Sequence, residues 1–540
     1  MDKFTGIISD EKFSKISLAV AQYPKSLVHW EELLNYLISN SLPLNRSLDH
    51  RLYELIETTY DSMLSHFPYT ENYYIDHALF QYKLGKVSKM HAVYQQGLKV
   101  FSYRSLHLWI SYLKLCNEVV TSNKLLFQKY ETAEKYIGLH YFSGEFWDLY
   151  LQQIQERCQR KERYFIILRK VLEIPLHSFS RFYAAWLRHI EEVQDVSQLN
   201  SFSSNEDLMK KLKIDVTYRG RKGPYLIECK KLLKKFTKEL YMVVQYQVLE
   251  IYSLFESKLK THYYSGPATL LPAVEVEIWD KYLDYTMSQR LDSLTHLNFQ
   301  RALLPFAHYD IFWLKYANWL IDYSDDIASA RNILIKGLSM SSKKNAIAKL
   351  LYATLCRLND YDFLALIFEQ HEDAHGDHIE NVDDFEVFWD YVQFQTFCSS
   401  VTKSRYSKSE LHSFMTPNVL DVILKRLSLQ ESKIDQLLLL SSILQLQTKS
   451  NTTFIEEKIF KHIIRSNWEF FLQNGQFWSL YSRLTFFNSS LSYLEKRRHI
   501  VKNIWLQGKR YNIKNLEPLR EFCQSYLPED IDALEEIFET

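Results

Sequence analysis

Two short helical patterns alternate along this chain at intervals of 34 to 38 residues, and no other feature limits its fold as strongly. The first pattern is an aromatic pair. LHLWISYLKL carries Trp109 and Tyr112, EFWDLYLQQI carries Trp147 and Tyr150, VEIWDKYLDY carries Trp279 and Tyr282, and DIFWLKYANWL carries Trp313 and Tyr316. GQFWSLYSRL repeats it with Trp478 and Tyr481. The step from Trp109 to Trp147 is 38 residues and that from Trp279 to Trp313 is 34. The second pattern falls between these and centres on a small residue: Gly97 in VYQQGLKVF, Ala133 in KYETAEKY, Ala302 in FQRALLPF and Gly337 in ILIKGLSM.

Residues three and four apart share one face of a helix, so each Trp-x-x-Tyr makes an aromatic wedge on one side of a helix A. The small residue of helix B lets a neighbouring aromatic approach its backbone. One such hairpin cannot bury its aromatic face alone, so successive hairpins must stack. The expected fold class is therefore all-α, a helix-turn-helix solenoid in two arms. Composition agrees. Only 12 Gly and 11 Pro occur in 540 residues, each about 2% against an ordinary ~7% and ~5%. A chain with few turn residues has few tight turns, as long helices joined by short loops require.

Residues 193–224 break the pattern. This polar, Ser/Asn-rich stretch ends with Gly220, Gly223 and Pro224 close together and reads as a linker or insertion. A long apolar-periodic stretch follows at 225–260. We expect an N-terminal arm over 1–195, a polar and basic linker over 196–224, and a C-terminal arm over 225–540. That second arm is expected to begin with a long bridging helix. Residues 342–475 depart from the repeat, with blurred aromatic slots in AIAKLLYATL and VFWDYVQFQ.

These patterns resemble the HAT (half-a-TPR) repeat family. LWISY, FWDLY, IWDKY and FWLKY match its helix A. HAVYQQGLKVF, HLNFQRALLPF and ASARNILIKGL match its helix B. The resemblance covers most of the chain. A length near 540 with little beyond repeats looks most like the U1 snRNP HAT-repeat splicing factors of fungal type. The resemblance implies a nuclear, non-enzymatic scaffold in pre-mRNA splicing and 5′ splice site recognition. Its implied partners are U1 snRNP core proteins and a related HAT-repeat protein held by the C-terminal arm, as a hetero- or homodimer. Two alternatives stay open: a HAT scaffold of mRNA 3′-end or pre-rRNA processing, and an RNA-binding protein.

The stretch HEDAH, residues 371–375, has the H-E-x-x-H spelling of a zinc peptidase. A zincin needs that motif inside a continuous helix, whereas His375 is followed at once by Gly376 and Asp377. No third ligand is marked out, and adventitious binding by His371, His375 and His378 would be incidental. A chance match in an acidic loop is the expected reading. No P-loop, dinucleotide fingerprint or G-x-S-x-G occurs. No catalytic residue, cofactor or metal is expected.

Lys+Arg and Asp+Glu are both 65, so nucleic-acid contact would have to be local. The one asymmetry lies in 208–238. There Lys210, Lys211, Lys213, Arg219, Arg221, Lys222, Lys230, Lys231, Lys234, Lys235 and Lys238 stand against Asp215 and Glu228. Three readings compete: a solvated basic face, a phosphate-contacting patch on RNA, and a docking site for an acidic protein segment or part of a nuclear import signal. The six cysteines form no C-x-x-C pair and are expected as buried thiols. MDKFTGIISDEKF lacks the apolar h-region of a secretory leader. No run of about 18 apolar residues occurs, so no membrane span is expected.

Overall fold

The structure, a computed structural model, describes residues 3–158, 162–202, 222–267, 269–360, 417–428, 433–447 and 452–539, and single positions between 208 and 215 and between 362 and 396. Among the described residues every regular element is a helix. The chain forms two compact units, residues 1–351 and 352–540.

The first unit opens with α1 (Lys3–Ile8), α2 (Glu11–Gln22), α3 (Leu27–Ser41) and α4 (His50–His66). Three A/B pairs follow: α5 (Glu71–Lys83) with α6 (Val87–Val100), α7 (Leu106–Val119) with α8 (Asn123–Ile137), and α9 (Gly144–Arg157) with α10 (Glu162–Leu172). Then come α11 (Phe179–Glu192), the long α12 (Lys222–Ile251), α13 (Ala273–Ser288), α14 (Asp292–Leu303), α15 (Asp310–Asp322) and α16 (Ile327–Met340).

Three contacts recur from repeat to repeat. Within a repeat, the aromatic of helix A lies on the small residue of helix B. A Cβ added at Gly97 would sit 2.9 Å from Cγ of Tyr74, and one at Gly337 would sit 3.0 Å from Cγ of Trp313. Between repeats, the Tyr of helix A stacks on an aromatic of the preceding helix B. Tyr130 and Tyr150 have centroids 4.8 Å apart, Phe299 and Tyr316 4.5 Å. His77 takes the same slot against Tyr60 at 4.7 Å, and burial pushes its pKa down to about 4. Offset or tilted aromatic pairs of this kind add to simple area burial.

The third contact is a hydrogen bond that the repeat pattern does not announce. The indole N–H of Trp30 donates to the Pro24 carbonyl at 2.9 Å, that of Trp109 to Tyr103 at 2.7 Å, and that of Trp313 to Ala307 at 2.9 Å. Each acceptor lies six residues upstream, in the loop leading into helix A. Trp147 reaches further back, to the Gly138 carbonyl at 3.1 Å. The indole thus satisfies a loop carbonyl that burial would otherwise leave without a partner. Trp279 is the exception, with an N–H that meets no acceptor among the described residues.

The repeats before 195 and those after 273 touch inside this one unit. Tyr69 meets Trp313 edge-on at 6.1 Å. Lys336 on α16 donates to the Val100 carbonyl at 2.9 Å and to Ser102 Oγ at 3.1 Å, capping the end of α6 across 236 residues of sequence. Residues 225–351 of the expected C-terminal arm therefore share a compact unit with the expected N-terminal arm, and the unit boundary at 351 does not coincide with the 196–224 linker.

The second unit packs its own core around the helix Gly475–Phe486, which supplies Phe477, Trp478, Tyr481 and Leu484. The repeat rules reappear. Trp478 donates to the Leu472 carbonyl at 2.9 Å, and Tyr481 stacks on Phe460 at 5.2 Å. A Cβ on Gly508 would lie 3.2 Å from the Trp478 ring.

Candidate interaction surface

Every repeat-pattern residue named from the sequence is buried: Trp109, Tyr112, Trp147, Tyr150, Trp279, Tyr282, Trp313, Tyr316, Ala133 and Ala302, with Gly97 and Gly337 beneath their aromatics. These side chains are occupied in packing, and among them Trp279 also lines a cavity, of about 590 Å³, beside Arg301 and His140. A surface must be sought elsewhere, and α12 offers it.

α12 is 30 residues long. Its sequence is rich in Lys, Leu and Glu, which favour helix, and its only proline, Pro224, sits in the first turn where the missing N–H costs nothing. One stripe is buried: Cys229, Leu233, Thr237, Val244, Val248 and Ile251. That stripe meets α11, where the Trp186 indole donates to Thr237 Oγ1 at 3.2 Å and Tyr183 stacks on Tyr241 at 4.1 Å. The helix ends in a π-helical turn, Tyr252–Glu256, which stands in for a helix B. Phe255 stacks on Tyr282 at 4.5 Å. Glu256 accepts two hydrogen bonds from the Arg301 guanidinium, at 2.9 and 3.0 Å, and one from the Tyr282 hydroxyl at 2.9 Å. Burial pushes the Glu256 carboxyl up, but the Arg301 charge and these bonds outweigh it and hold its pKa below the ordinary value.

The basic residues divide by role. Lys210 and Lys213 are exposed, Lys222 opens α12, and Lys211, Arg219 and Arg221 lie outside the described residues. Lys230 donates to the Glu191 carbonyl at 2.7 Å, and Lys234 pairs with the Glu191 carboxylate. The Lys234 hydrogen bond lowers the pKa of that acid. These two lysines tie α12 to α11. Lys231, Lys235 and Lys238 instead point outward, exposed, with no carboxylate partner among the described residues.

The pattern of charge missed a second component of this face. Leu232, Phe236, Met242, Val243, Tyr246 and Leu249 are all exposed on α12. The signal was present in the sequence: KKLLKKFTKELYMVVQYQVLEI has more apolar residues than a single buried stripe can use.

HEDAH, with His371, His375 and His378, lies outside the described residues. Among the described residues no group of three His, Cys, Asp or Glu side chains is placed to hold a metal ion, and no helix is long and apolar enough to cross a membrane.

Comparison with known proteins places the repeats in context. Residues 14–188 match the PRP39 N-terminal HAT repeat family, and residues 252–430 match the PRP39 C-terminal HAT repeat family. The chain is 55% identical over 540 residues to a Saccharomyces cerevisiae protein named U1 small nuclear ribonucleoprotein component PRP42, covering 100% of this chain and 99% of that one. It is 23% identical over 337 residues to pre-mRNA-processing factor 39 of Schizosaccharomyces pombe and 20% identical over 369 residues to that of Homo sapiens. It spans about half the length of these two, 53% and 52%.

Proposed function

The chain belongs to the family of PRP39-type HAT-repeat proteins, and from that premise we propose that it is a non-enzymatic scaffold subunit of the U1 small nuclear ribonucleoprotein in nuclear pre-mRNA splicing. The observation that carries this reading is 55% identity, end to end, with a protein named as a component of that particle. The fold suits the role. A solenoid whose repeat-pattern aromatics are consumed in packing presents long helical surfaces rather than closed pockets, and such surfaces hold partner helices or tails over many repeats. In this reading the N-terminal arm, residues 1–195, holds core particle proteins. The C-terminal arm, from residue 225, holds a related HAT-repeat protein. Together they bridge the particle for 5′ splice site recognition.

The test is recovery of the tagged chain from nuclear extract at about 0.3 M salt, which weakens loose phosphate contacts. Mass spectrometry and RNA sequencing of the eluate should return U1 RNA, U1 core proteins and a second HAT-repeat chain. Recovery of 3′-end processing or pre-rRNA factors in their place would assign the scaffold to another particle.

A further inference from the structure

The outward face of α12 carries more apolar surface than a solvated helix ordinarily shows. Met242 and Val243 are each 59% exposed, Tyr246 69% and Leu249 56%. Leu232, Phe236 and Val243 follow one edge at i, i+4 and i+11. Met242, Tyr246 and Leu249 follow the next edge at i, i+4 and i+7. The strip from Leu232 to Leu249 is about 26 Å long at 1.5 Å per residue. Beside it a groove of about 460 Å³ opens between α12 and α13, lined by Met242, Val243, Tyr246 and Glu250 of α12, by Tyr285 of α13 and by Gln289 just after it. At the N-terminal end of the same face stand Lys231, Lys235 and Lys238, none of which has a carboxylate partner among the described residues.

We propose that this face of α12 docks an amphipathic helix of another protein, one with an apolar ridge along its length and acidic residues at one end. The proposal deepens the scaffold reading and rests on it. The chemistry selects this occupant over the alternatives. Leu232, Met242, Val243 and Leu249 are aliphatic; they give nothing to phosphates or base edges and are stabilised by burial against apolar side chains. A second copy of this chain fits poorly. Two α12 faces paired in parallel set lysine against lysine. Paired antiparallel, they set lysines against Met242, Tyr246 and Leu249, where the acid lining the groove, Glu250, already accepts from the Tyr285 hydroxyl at 3.3 Å. An acidic helix answers both halves of the face, the ridge entering the groove and the carboxylates meeting the three lysines.

The experiment places a photo-crosslinking p-benzoylphenylalanine at position 246 of the full-length tagged chain, irradiates the assembled complex and sequences the crosslinked product. The expected product is one protein peptide with apolar residues at i, i+3 or i+4 and i+7 and a net negative charge. Val243→Asp, and the triple variant Lys231→Glu, Lys235→Glu, Lys238→Glu, should each lower its yield about tenfold without changing the thermal unfolding of the chain. A crosslink to RNA, to a second copy of this chain or to a peptide without that pattern overturns the proposal. So does the absence of any crosslink at 246, or a yield indifferent to both variants. Co-purifying U1 RNA is measured in the same sample. Its absence counts against the scaffold reading, while its presence without the crosslink counts against the docking helix alone.

Discussion

Gly97 shows how single positions serve the repeat. It lies inside α6, where glycine ordinarily costs about 1 kcal/mol relative to alanine. Its place is explained by Tyr74, whose ring Cγ would stand 2.9 Å from an added Cβ. Overpacking of that kind costs about 1–3 kcal/mol. Gly97→Ala is therefore expected to lower the midpoint of thermal unfolding, although the same change at an open helical site raises it. Gly6 in α1, with nothing within 4 Å of its added Cβ, is the matched control. A Gly97→Ala midpoint at or above wild type would show that the aromatic wedge is looser than the structure makes it. The need for a small residue at 97, 133, 302 and 337 was legible in the sequence because the partner aromatic recurs at the same offset. The identity of the acceptor for each indole was not, since a loop carbonyl leaves no mark on residue type.

At the scale of the helix, the indole bond pins the start of helix A to the loop before it. Trp313→Phe keeps a ring in the slot but leaves the Ala307 carbonyl without its donor. The expected cost is about 1–3 kcal/mol from the unsatisfied acceptor, beyond the loss of ring area. Trp279→Phe loses similar area and no hydrogen bond, so it should destabilise less. Denaturant unfolding of the two variants, read as a difference, checks this. Equal losses would mean that the bond contributes little. α12 marks the limit of reading by element. Its length and helicity were plain from 225–260. That its end turns π-helical and serves as helix B for Tyr282 was hidden, because this depends on how Phe255 and Glu256 meet residues of other helices.

At the scale of the first unit, the Arg301–Glu256 pair joins the end of α12 to α14, with side chains 8% and 0% exposed. Arg301 also lies 6.0 Å from the centroid of Phe142 in the loop between α8 and α9. A buried pair is costly to break and less costly to replace. Glu256→Gln strands a buried guanidinium and is expected to cost about 3–5 kcal/mol, whereas Glu256→Leu combined with Arg301→Met should recover most of that loss. Because the folded pKa of Glu256 is held below its ordinary value, the contribution of the pair is fully present above the ordinary glutamate range. It is lost as pH falls through the lowered folded pKa. Acid unfolding of wild type against the double variant tests the sign: the double variant should show the shallower decline. A steeper decline would place the charge of Glu256 elsewhere than on Arg301.

The alternation of aromatic and small-residue helices, and hence the all-helical repeat, was determined by the sequence alone. The reason is locality: residues three, four and about 35 apart act through one helix face and its nearest neighbour. The tertiary structure decided what is not local. Lys336 capping Val100 across 236 residues, the unit boundary at 351 rather than at the polar linker, and the division of the α12 lysines into those tied to Glu191 and those facing outward depend on which distant surfaces meet. A contact between repeats far apart in the chain imposes no periodicity on either segment. Only packing could reveal which basic and apolar side chains of α12 remain open to a partner.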